Sequence, residues 1–80
     1  MPKAIEHKTA SFTLATRRGD VVIRTRKHEP LPHGITEKAL IRRAKQWAGF
    51  ASARDVATCD ESGCTVYPVG EHTVLYIRFP

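Results

Sequence analysis

The chain has 80 residues, 41% of them hydrophobic and 26% charged, with 13 Lys and Arg against 8 Asp and Glu, a net charge of +5 and a pI near 9.7. A chain of this length is one domain, and it buries only about 60–65% of the surface its unfolded form exposes, so its core is thin. No apolar stretch reaches the roughly 18 residues of a membrane span, and "MPKAIEHKTA" lacks the apolar run of a signal peptide. The expectation is a cytoplasmic protein with reduced thiols and no membrane contact.

Residues 1–10 are polar and are expected to form a flexible N-terminus, with residues 11–80 making the single domain. From Ser11 to Thr16 the chain alternates, and Val21 to Arg26 does the same. A two-residue turn at Arg18-Gly19 sets Leu14 opposite Ile23 and Phe12 opposite Thr25. One face then collects Phe12, Leu14, Val21 and Ile23, and the other collects Arg17, Arg24 and Arg26. Val21 and Ile23 are therefore expected to be buried, with Arg24 and Arg26 exposed, because a one-residue slip would bury the arginines. "KHEPLPHG" reads as a crossover, since Pro30 and Pro32 cannot donate to a ladder.

A helix follows. Thr36 is its N-cap, Glu37 lies at the positive end of its dipole, and Ile35 with Leu40 forms a hydrophobic staple. Leu40, Ile41, Ala44, Trp47 and Ala48 make the apolar stripe, Gly49 ends the helix, and Lys38, Arg42, Arg43 and Lys45 lie on or beside the wet side. Trp47 is expected as a core anchor. Strands over Arg54–Cys59, Cys64–Val69 and Thr73–Phe79 complete the chain, the first two joined by "DESG". The order is ββαβββ, an α+β domain with one helix on a mostly antiparallel sheet. Within this part, "QWAGFASARDVATCDESGCTVYP" resembles the barrel segment of small bacterial toxin and transition-regulator proteins. It departs from them in having "ASARDV" where their pattern places a Gly before the Asp, and no residue role is carried over.

Motifs of catalysis are missing from the sequence. Its five glycines are dispersed, so there is no phosphate loop. Cys64, His72 and Asp60 can be drawn as a triad, but no nucleophile motif surrounds either cysteine. No catalytic residue, cofactor or metal is assigned, and the protein is read as a non-enzyme. Cys59 and Cys64 with His28 and His33 offer four soft ligands, yet the wider Cys spacing favours two cysteines facing each other across a hairpin as small hydrophobes, or cross-linked under oxidation. The four histidines are expected in loops or tails.

What remains is charge. Arg17, Arg18, Arg24, Arg26, Lys38, Arg42, Arg43 and Lys45 are the candidate residues for binding a partner or a nucleic acid. Because they divide between sheet and helix, the leading expectation is a small non-enzymatic inhibitor or adaptor of phage or mobile-element type, as the anti-CRISPR proteins are. Such a protein would bind a host protein or nucleoprotein complex as a monomer or homodimer. The alternatives are a sequence-tolerant nucleic-acid-binding module, whose Tyr67 and Tyr76 could stack bases, and a small ribonuclease-type toxin using His and Arg.

Overall fold

The computed structural model describes residues 4–50, 56–70 and 72–80. The elements are β1 (Thr9–Arg18), β2 (Val21–Pro30), α1 (Glu37–Ala48), β3 (Val56–Asp60), β4 (Gly63–Gly70) and β5 (Thr73–Arg78). They form an α+β domain: one five-stranded antiparallel sheet in the order β2-β1-β5-β4-β3, with the helix packed on one face. The segment that resembles a toxin or regulator barrel contributes β3 and β4, at one edge of this open sheet. The expected strand at Arg54 and Asp55 lies outside the described residues.

The helix ends are those the sequence specifies. Thr36 is extended, and its hydroxyl accepts from the Ala39 N–H at 3.2 Å. At the other end Gly49 is left-handed, with Gly49 N–H donating to Gln46 and Phe50 N–H to Lys45, a Schellman closure. Leu40 and Ala44 are fully buried against Phe12 and Ala10 of β1, Leu75 and Ile77 of β5, and Cys64 and Val66 of β4. Trp47 packs on Phe12 with ring centroids 5.9 Å apart, the anchoring role expected of it. Burying side chains the size of Phe12, Leu40 and Ile77 contributes roughly 1.5–3 kcal/mol each.

The first hairpin differs from expectation. Its turn is Gly19-Asp20, so Arg18 faces Val21, Thr16 faces Ile23 and Leu14 faces Thr25. Gly19 has a φ of +60° and takes the first central position, where both favoured hairpin turns require positive φ. The register is thus two residues from the expected one, which preserves which side chains share a face. Burial is lost all the same: Val21 is 61% exposed and Ile23 47%. They point to the helix side of the sheet, but β2 is an edge strand, and α1 reaches it only near Glu29, where Arg43 pairs at 3.3 Å, leaving the Val21–Ile23 end beyond the helix. A helix is roughly 10–12 Å wide and strands stand about 4.8 Å apart, so one helix covers two or three strands of five.

β2 also runs further than expected, through Pro30, which as the last residue of an edge strand leaves no ladder bond unmade. His28 therefore lies within a strand and not in a loop. At the N-terminus, Ile5 N–H donates to Ile35 carbonyl at 2.8 Å, and β1 begins at Thr9 with Ala10 buried.

Candidate functional site: the open sheet face

The sheet face away from α1 carries no covering element among the described residues. Register places its side chains in rows. Arg26, Thr13, Tyr76, Thr65 and Thr58 lie across the middle, with His28, Ser11, Arg78, Gly63 and Asp60 on one side of them. On the other side lie Arg24, Ala15 and Val74, then Arg17 beside Val22. Alternation along β4 puts Tyr67 on the same face, 46% exposed.

Arg17, Arg24, Arg26 and Arg78 are all exposed here, as expected for Arg24 and Arg26. The Arg78 guanidinium sits over the Tyr76 ring at 5.9 Å from its centroid, a cation–π contact. Thr13, between Arg26 and Tyr76 in register, is only 9% exposed, so these two side chains shield the sheet between them. Arg17 Nε donates to the Gly19 carbonyl at 3.1 Å and is held at the hairpin tip. His28 Nδ1 lies 3.1 Å from Ser11 Oγ. No acidic side chain of β1, β2 or β5 stands on this face: Glu29 belongs to the helix side, where it pairs with Lys27 at 3.0 Å and Arg43 at 3.3 Å.

The structure separates the remaining candidates from this group. Arg18, opposite Val21, projects to the helix side of the sheet. Lys38, Arg42, Arg43 and Lys45 belong to the helix layer, with Arg43 tied to Glu29 and Lys45 half-buried. Arg78 was not among the expected site residues. Its signal was present in the alternation of the last strand, which puts it beside Tyr76, but only the pairing of β5 with β1 brings it to the arginines of the first hairpin.

The other chemical constellations are not assembled as drawn from sequence. His28 on β2 is at least three strand spacings, roughly 14 Å, from Cys59 and Cys64 on β3 and β4, so the four soft ligands do not meet. His72, with a φ of 62°, lies in the β4–β5 turn, at the opposite end of β4 from Asp60 and Cys64. Cys59 and Cys64 are directly opposed, Cα atoms 4.0 Å apart, and are joined in a disulfide. The two-residue turn at Glu61-Ser62 sets the cysteines opposite each other, as expected, and they are cross-linked where reduced thiols were the expectation.

That turn is held by Asp60, whose Oδ1 accepts from Ser62 N–H at 2.8 Å, Ser62 Oγ at 2.6 Å and Gly63 N–H at 3.2 Å. The hydrogen bonds from Ser62 lower the Asp60 pKa below the ordinary 3.8, against the opposing effect of desolvation, with Gly63 N–H and the Arg78 charge adding to the lowering. No family model, curated protein or solved structure matches the chain. No helix among the described residues is long and apolar enough to cross a membrane.

Proposed function

We propose that this protein is a sequence-tolerant nucleic-acid-binding module that takes single strands on its open sheet face. One observation carries the reading: Arg17, Arg24, Arg26 and Arg78 share an uncovered face with Tyr76 and Tyr67, and no carboxylate from β1, β2 or β5 competes there. Arginines contact phosphates, and half-exposed tyrosines accept bases of any identity on their rings. Three or four phosphate contacts on a single strand give a log–log salt slope of roughly −2 to −3, or about a 15- to 60-fold loss of affinity between 50 and 200 mM salt. Fluorescence anisotropy with labelled single-stranded DNA, RNA and duplex DNA at both salt levels tests this. Binding should favour the single strands and fall with Arg24→Glu/Arg26→Glu, and no binding at low salt overturns the reading.

A second reading, a non-catalytic inhibitor or adaptor of a host protein or nucleoprotein complex, is favoured by a different observation. Val21, Val22 and Ile23 form an exposed apolar tip on β2, whose outer edge has no neighbouring strand among the described residues and can accept a partner's strand or loop. Here an Ile23→Asp change should abolish capture of one host protein while leaving polyanion binding intact.

A further inference from the structure

The end of the molecule opposite the hairpin tip has a different chemistry. A cleft of about 650 Å³ opens there, and Glu6, His7, Glu37, Asp60 and Glu61 line it together with Cys59 and Cys64. Three elements converge on it: the N-terminal segment, the start of α1, and the β3–β4 hairpin. On its wall the Sγ atoms of Cys59 and Cys64 and a carboxylate oxygen of Glu37 all lie within 4.8 Å of one another. Cys64 is buried, Cys59 half-buried and Glu37 exposed, so the trio forms a pocket with one open side. We propose that, once the Cys59–Cys64 disulfide is reduced, the two thiolates and the Glu37 carboxylate bind a zinc ion. This end of the protein then exists either oxidised and metal-free or reduced and metal-loaded.

The ligand chemistry selects the ion. Two sulfurs and one carboxylate oxygen suit a tetrahedral, borderline-soft cation and are a poor set for Mg²⁺ or Ca²⁺, which take oxygen. Zn–S bonds of about 2.3 Å and a Zn–O bond of about 2.0–2.2 Å place tetrahedral ligand atoms roughly 3.3–3.8 Å apart. Sulfurs on directly opposed residues reach that separation by side-chain rotation once the S–S bond is gone. The fourth position takes water or the His7 imidazole, which lines the same cleft and stacks on Phe79 at 4.3 Å.

The electrostatics point the same way. Of the described acids, Glu6, Glu37, Asp60 and Glu61 line this cleft, while only Asp20 and Glu29 lie elsewhere. On a protein of net charge +5 this is a local concentration of negative potential that draws a divalent cation and repels a polyanion.

The chemistry balances. Two equivalents of a cellular thiol reduce the disulfide by exchange, becoming a disulfide themselves and leaving Cys59 and Cys64 as thiols. Zinc then replaces both thiol protons, two protons leave to solvent, and the Glu37 carboxylate enters already ionised. The dication compensates the charge of the two thiolates it creates.

The test is a Co²⁺ titration of the full chain, oxidised and after reduction by a phosphine that is then removed under anaerobic conditions, followed by Zn²⁺ displacement. The reduced protein should develop a thiolate-to-cobalt charge-transfer band with tetrahedral visible bands, saturating at one equivalent and bleached by Zn²⁺. The oxidised protein should show neither. Glu37→Gln, an exposed change that leaves the core untouched, should weaken binding on the order of tenfold or more. Cys59→Ser should remove the charge-transfer intensity of one sulfur, with circular dichroism reporting whether the variant is folded. A reduced wild-type protein without the charge-transfer band overturns the proposal, as does an affinity unchanged by Glu37→Gln.

Discussion

The open sheet face and the cleft end belong to one sheet, the first spread over all its strands and the second built at its β3–β4 end, and the fold asks different things of them. On the open face the backbone is already satisfied by the ladders, and the arginines rest on it without any carboxylate from β1, β2 or β5 beside them. They can change without disturbing what holds the sheet. At the cleft end the polar groups also build the structure: Asp60 closes the β3–β4 turn, the cysteines tie its strands, and Gly63 has no space for a side chain. The lesson is that a binding function on the open face can drift at little cost in stability, whereas chemistry at the cleft is tied to folding.

The largest effect is expected at Gly63. Its φ is +148°, and a Cβ there would run into the Ile77 carbonyl, a backbone atom that cannot turn aside. Gly63→Ala should destabilise the domain by about 3 kcal/mol or more in urea denaturation. Whatever fraction stays folded should bind single strands as the wild type does.

The open face should give the reverse result. Arg24→Glu/Arg26→Glu should lower single-strand affinity about 100-fold in anisotropy at low salt. The urea midpoint should move little, since surface changes of this kind stay within about 0.5 kcal/mol. A large loss of stability in this variant would show that the open face and the cleft end are energetically coupled.

Reduction of the Cys59–Cys64 disulfide should cost less than the Gly63 change. Closing so short a loop contributes about 2 kcal/mol in the chain-entropy account. Urea curves with and without a phosphine reductant measure it directly, and adding Zn²⁺ to the reduced protein should recover part of the loss. The smallest effect is that of acid on Asp60. Its pKa is depressed in the folded protein, so its contribution is present in full above the unfolded value near 3.8 and is lost as pH falls through the lower folded value. The urea midpoint of the wild type should therefore fall more steeply below pH 4 than that of Asp60→Asn.

Much of the architecture was legible in the residues. The 3.6-residue stripe from Leu40 to Ala48, bracketed by Thr36 and Gly49, placed the helix to within a residue. Alternation in the last strand separated Leu75 and Ile77, both buried, from Tyr76 and Arg78. Arg24 and Arg26 were correctly set on the outer face, because a two-residue change of register keeps every side chain on its side. The exposure of Val21 and Ile23 has a cause that alternation cannot supply. A period of two says which side chains share a face, but not whether anything covers that face.

By itself, then, the sequence determined the periodicities, the caps, the turns and the partition of charge within each strand, since all of these act over a few residues. Only the tertiary structure decided that β5 joins β1 and leaves β2 at the edge. That single choice gathers Arg78 with Arg24 and Arg26 and leaves Val21–Ile23 beyond the helix. Docking α1 over the sheet likewise brought Glu37 to the cysteine pair. Such contacts join segments tens of residues apart, and their energy comes from burying one shared core that no local pattern encodes.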